Sequence, residues 1–190
     1  YLLLHLTFAQ WKLVNLPYNC KYYMSNLDIY TNYKTVLSVN ALIFSEGKLL
    51  LLKRAADKKV DPNLYAGIGG KVEPHEDFYS ALLREIEEET GIKEIKSVKL
   101  YSVTQHPFPP TDSEWVNLYF LVTIEKQIEI PKSDDGEFSW INPSETENLP
   151  MPQDLKKYIK ILADNPNAMI LGYFDHDQTG KTIEEKIKII

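Results

Sequence analysis

The chain has 190 residues, 44% of them hydrophobic and 25% charged, and its 21 basic and 27 acidic side chains leave a net charge of −6. These are globular proportions, which exclude wholesale disorder and a coiled coil, and the length suits one domain with an extension. No apolar run approaches the roughly 18 residues that span a bilayer. The acidic balance argues against a grip on nucleic-acid backbone, and the single cysteine, Cys20, precludes an internal disulfide and fits a reducing compartment.

Residues 1–32 read as an N-terminal extension. They begin at Tyr1 with a short apolar patch, Leu2, Leu3, Leu4 and Leu6, and lack the basic start and small-residue cleavage site of a secretory signal. Either Met24 is the native translation start, or residues 1–23 form a poorly ordered extension. Residues 33–190 are the expected folded domain. Residues 35–45 and 48–53 predict two strands joined at Glu46-Gly47. Asp61-Pro62-Asn63 places a loop over residues 55–64. After Gly67, Gly69 and Gly70, a helix is expected over residues 77–90, stopped by Gly91. Residues 95–104 and 115–125 read as strands around a proline-rich loop at residues 106–110. A short strand (137–141), a second helix (152–163) and another strand (168–175) follow. A turn at residues 177–180 precedes a last strand or helix, 182–190. This order predicts an α+β fold, a sheet covered by helices.

Residues 70–92, GKVEPHEDFYSALLREIEEETGI, carry an anomaly. At about 100° per residue, Ala81 and Leu82 fall within about 60° of Phe78, with Ile86 at roughly 80°. That is the face a surface helix buries. Glu85 and Glu89 fall within about 20° of Phe78 and Glu88 lies beside Ala81, whereas Glu87 points away. A glutamate run is ordinarily a solvated face, but three of these acids continue the buried stripe. Like charges at these spacings repel, the helix C-terminus disfavours anions, and burial adds a desolvation cost. A hard divalent cation removes the conflict, and Mg²⁺ suits a site whose other ligands are phosphates and water. Arg84 either orients one of the glutamates through a bidentate pair or makes a surface ion pair.

The segment resembles the Nudix box, G-x5-E-x7-R-E-U-x-E-E-x-G-U, where U is a bulky aliphatic. Gly70, Glu76, Arg84, Glu85, Ile86, Glu88, Glu89, Gly91 and Ile92 fill all nine defined positions. The resemblance implies an α/β/α sandwich, a mixed sheet flanked by helices. It also implies Mg²⁺-dependent hydrolysis, with Mn²⁺ as a substitute, of a nucleoside diphosphate linked to another moiety. On that resemblance Glu85, Glu88 and Glu89 are the metal ligands, with Gly70 adding its backbone carbonyl. Glu85, Arg84 and Glu88 are the expected catalytic residues, Glu85 being the general base in some members. Glu76 and Arg84 look like the pair that braces the helix.

Further resemblances lie outside the box. Glu137, in an E-x-x-W pattern with Trp140, either completes the metal site or is an exposed strand-end acid. Arg54 occupies a position that reaches a substrate phosphate in MutT-like members, and Lys71 is a second candidate. Met151-Pro152-Gln153-Asp154 and the stretch from Ile170 to Phe174 resemble the tail of oxidised-purine nucleoside triphosphatases. That likeness implies a purine triphosphate such as 8-oxo-dGTP, cleaved to monophosphate and pyrophosphate, with Asp154 reading the base. Met151, Gln153 and Ala66 depart from that pattern and leave the base specificity open, and Asp154 equally suits a helix cap. His75, His106 and His176 show no metal spacing and read as structural or exposed. Phe108, Trp115 and Tyr119 either wall a base pocket or pack the core. An ADP-ribose or nucleotide-sugar pyrophosphatase and a non-catalytic nucleotide sensor are the competing readings. The expected partner is a small-molecule nucleotide in the cytoplasm, with no nucleic acid and no membrane, and a homodimer is left open.

Overall fold

A computed structural model describes residues 34–190 apart from Val60, so the readings made for residues 1–32, Met24 among them, lie outside the described residues. Among the described residues nine strands form one sheet: β1 (Lys34–Ser45), β2 (Lys48–Arg54), β3 (Tyr65–Ala66), β4 (Ile68–Lys71), β5 (Ser97–Phe108), β6 (Ser113–Thr123), β7 (Gly136–Ile141), β8 (Ile170–His176) and β9 (Thr182–Ile189). Among the described residues two α-helices accompany them, α1 (Phe78–Thr90) and α2 (Gln153–Asp164). The main path runs β3-β2-β1-β6-β5-β8-β9, with β4 paired to β1 and β7 to β2. β8 lies parallel to β5 while the neighbouring β5–β6 and β8–β9 pairs are antiparallel, so the sheet is mixed. The fold is the expected α+β one.

The leucine run of β2 shows why the sheet needs cover on both sides. Leu49, Leu50, Leu51 and Leu52 are all buried, and successive strand residues point to opposite faces. Leu50 joins the core beneath α1, with Ala81, Leu82 and Ile86. Leu49 and Leu51 join the core beneath α2, with Leu155, Tyr158 and Ile159. Among the described residues no helix is long and apolar enough to cross a membrane.

Helix α1 starts and stops where its sequence dictates. Asp77 accepts from the N–H groups of Tyr79 and Ser80, both at 3.0 Å, satisfying donors that the first turn leaves open. Gly91 closes the helix at φ 74° and donates to the Glu87 carbonyl. The buried residues are Ala81, Leu82, Ile86 and Thr90. Phe78, expected at the centre of the buried face, is 41% exposed in the first turn.

Two other readings change. The expected loop at residues 106–110 is largely strand, because β5 continues through His106, Pro107 and Phe108 before a 3-10 turn at Pro109–Thr111. Pro107 is tolerated because the β5–β8 ladder ends at Gln105 opposite Tyr173, so no bond on that side needs its missing N–H. The last segment, left open as strand or helix, is β9, paired along its length with β8.

Gly69 holds β4 close against β1, opposite Asn40, at φ 157°. A Cβ there would collide with the Val39 carbonyl. Gly69→Ala is therefore expected to destabilise the domain by on the order of 3 kcal/mol, read as a lowered urea midpoint at unchanged m-value.

Candidate active site

The Arg84 guanidinium has five N–H donors, and the structure gives each an acceptor. Nε and Nη2 bind the two oxygens of Glu76, both at 2.9 Å, as a fork-to-fork pair. Nη2 also reaches the Lys71 carbonyl at 3.1 Å. Nη1 takes Glu85 Oε1 at 2.8 Å and Glu88 Oε2 at 3.2 Å. Expected to orient one glutamate, Arg84 ties three of them to the end of β4. The Glu76 bond, then the Glu85 bond, hold the Arg84 pKa well above its ordinary value. In return Arg84, and after it the Glu73 N–H, hold the Glu76 carboxyl below the usual range.

The three glutamates of the α1 stripe differ in environment. Glu85 is largely covered, and its carboxylate occupies the space that a side chain on Gly70 would fill. Glu88 was expected to continue the buried stripe, yet its side chain is 60% exposed. It sits at the margin of the stripe and turns toward Arg84 and solvent. Glu89 is the buried acid. Its Oε2 has no hydrogen-bond partner, and its pKa is pushed up to about 7 by burial first and by the charge of Glu85 second. Asp135 adds to that rise, while the Gly69 N–H and the charge of Arg54 oppose it.

The other expected residues spread more widely. Arg54, at the end of β2, places its charge within reach of Glu89. Lys71 lends its carbonyl to Arg84, but its ammonium lies 5.3 Å above the Trp115 ring. Glu137 faces away from the cluster: it sits opposite Lys53 in the β2–β7 ladder, is 60% exposed, and pairs with Lys132, which lowers its carboxyl pKa. The acid from this region that reaches Glu89 is Asp135, which also pairs with Lys58 at 2.5 Å. Its only sequence signal was the Asp134-Asp135 pair just ahead of β7. Asp154 stands in the first turn of α2, where Oδ1 accepts from the Leu155 N–H at 2.9 Å. It borders a cavity lined by none of the box residues, together with His106, Phe108 and His176. Tyr119 is core, edge-on to Tyr158 at 5.2 Å.

Among the described residues, no three acids, histidines or cysteines converge on one point at metal-ligand geometry. Arg84 accounts for this, because it draws Glu85 and Glu88 to itself. The donor set nonetheless suits a hard divalent ion. It offers three carboxylates beside backbone carbonyls, and the buried Glu89 oxygen, which has no hydrogen-bond partner, would be stabilised by a cation.

The NUDIX domain matches residues 34–162. A nucleoside triphosphatase NudI from Escherichia fergusonii is 33% identical over 144 residues, covering 69% of this chain and 92% of that protein. A NudI from Klebsiella pneumoniae is 54% identical over 52 residues, 27% of this chain and 37% of the relative. The crystal structure of the mutator MutT protein from Bacillus halodurans superposes with a TM-score of 0.69 at 22% identity, covering 80% of this chain and 97% of that one, a likeness of fold.

The raised Glu89 pKa has a consequence for stability. Between pH 4.5, the ordinary carboxyl value, and about 7, the folded state keeps a proton that the unfolded state has released. Stability therefore falls as pH rises through that window and levels off above it. In chelator, Glu89→Gln removes this fall and makes the protein more stable at pH 8 by about 2 kcal/mol, with little change at pH 4, as read by urea unfolding at both values.

Proposed function

The chain belongs to the NUDIX domain family and is a Nudix hydrolase, and we propose that it splits a nucleoside triphosphate, with Mg²⁺, into the monophosphate and pyrophosphate. The observation that carries this reading is the orphaned, buried oxygen of Glu89 beside the Arg84-braced carboxylates. The name nucleoside triphosphatase, borne by the Escherichia fergusonii relative that the chain nearly spans, supports the substrate class.

In this mechanism Glu85, Glu88, Glu89 and the Gly70 carbonyl would hold the divalent ion. When bound, that ion neutralises the phosphates and acidifies a water. Arg84 holds Glu85 and Glu88 beside the end of β4, and both would turn from it toward the ion on binding. Glu85 accepts the proton of the attacking water as the new bond to phosphorus forms and the bridging oxygen departs with pyrophosphate. Arg54, whose charge already offsets that of Glu89, is the nearest candidate for a substrate phosphate. A purine base, oxidised forms such as 8-oxoguanine included, is the proposed occupant on the Asp154 side.

Phosphate and pyrophosphate release from dGTP, 8-oxo-dGTP, ATP, ADP-ribose and a UDP-sugar tests the reading. Pyrophosphate from the triphosphates is the expected product; a sugar phosphate as the main product would move the enzyme to the nucleotide-sugar or ADP-ribose class. Glu88→Gln is isosteric but uncharged. It is expected to lower kcat by on the order of 100-fold or more with the thermal midpoint preserved.

A further inference from the structure

Strand β9 ends the sheet path, and among the described residues no strand pairs with its outer edge. Its neighbour β8 takes only half of its peptide groups. Met169 and Ile190 exchange N–H···O bonds in both directions, at 3.0 and 2.9 Å. In an antiparallel ladder such pairs recur at every second residue, so Lys188, Lys186 and Glu184 also turn their peptides to β8. Ile189, Ile187 and Glu185 therefore present their N–H and C=O groups outward. Every residue of the strand except Ile187 is exposed, Ile183 at 62% and Ile189 at 51%.

Edge strands are ordinarily blunted by being short, by proline, by a bulge or by repelling charges. At the other end of the path β3 is only two residues long. β9 has eight residues and no proline, and its register shift lies at its start, where Thr182 and Glu184 flank Ile183. Its charges are of both signs and in ordered succession, acids at Glu184 and Glu185 and lysines at Lys186 and Lys188. That order suits pairing of the strand with itself.

Two copies of β9, antiparallel about a two-fold axis at Lys186, set Glu184 against Lys188 and Ile183 against Ile189 on both sides of the axis. The outward peptides of Glu185 and Ile187 then meet and bond in both directions. Lys186 meets its own copy on the axis, but Glu184 of the same strand already lies 3.0 Å from its ammonium. The neighbouring registers that keep the same faces together are poorer. One sets Glu185 against Glu185 and Lys188 against Thr182; the other sets Lys186 against Lys188 twice. We propose that a second copy of this chain docks on β9, antiparallel about Lys186, and joins the two sheets into one. A single strand pair buries less than a standard interface, so the dimer is a weak, micromolar one. The contact leaves α1 untouched and stands apart from the substrate reading.

Sedimentation equilibrium of the full chain tests the pairing. The unaltered protein is expected to pass from its monomer mass of 22.0 kDa at about 1 μM to nearly twice that at about 200 μM. A mass that stays at 22.0 kDa over this range overturns the proposal. Glu184→Lys alone, like Lys188→Glu alone, sets like charges opposite each other and is expected to weaken the dimer about tenfold. Mixed in equal amounts, the two variants join a lysine to a glutamate in both cross-strand pairs, and the dimer is expected to return. A single variant that dimerises as tightly as the unaltered chain, or a mixture no tighter than its components, overturns the register and with it the proposal. Glu185→Pro is a second test, because the Glu185 N–H points away from β8 and its loss spares that ladder. It is expected to leave the circular dichroism spectrum unchanged and to abolish the dimer. An undiminished dimer in this folded variant places the contact elsewhere and overturns the proposal.

Discussion

A single guanidinium organises the acidic end of this domain. Arg84 bonds to the Lys71 carbonyl at the end of β4, to both oxygens of Glu76, and to Glu85 and Glu88 one and four residues further along α1. Without it, a helix ending in clustered carboxylates would carry uncompensated repulsion at its electronegative terminus. Because all its donors are engaged, the residue that braces the helix also fixes two of the proposed metal ligands. Scaffold and chemistry are thus coupled through one side chain.

Glu89 is left outside that arrangement. Its burial among hydrogen-bond-poor surroundings, next to the charge of Glu85, raises its pKa to about 7 and leaves one oxygen without a partner. Burying that oxygen is a local cost, which a cation beside it would offset.

The two faces of the sheet take different tasks. The α1 face, through Leu50 and Ile86, backs the acid cluster. The α2 face, through Leu49, Leu51 and Tyr158, runs out into the ring-lined cavity at the ends of β5 and β8. The Tyr101 hydroxyl donates to the Tyr158 carbonyl at 2.7 Å and ties β5 to α2. Arg54, which couples to Glu89, begins the segment whose Lys59 and Asp61 border the cavity, so one loop adjoins both regions.

Local chemistry made much of this legible in advance. The helix over residues 77–90, the Gly91 stop, the β1–β2 hairpin and the misplaced glutamates each depend on residues within one or two helical turns or one tight connection, so local spacing made them legible. What spacing could not show was decided by partners far away in the chain. Phe78 and Glu88 fall on or beside the buried stripe by helical geometry, but the covering core does not extend to them. Glu137 has the expected pattern, yet the β2–β7 register turns it to Lys132 and leaves Asp135 to reach Glu89. His106 and His176 are 70 residues apart and look unremarkable until the parallel β5–β8 pairing stacks them into one wall. The sequence by itself determined the helix, its acids and the family; strand register, a long-range property, decided which side chains meet.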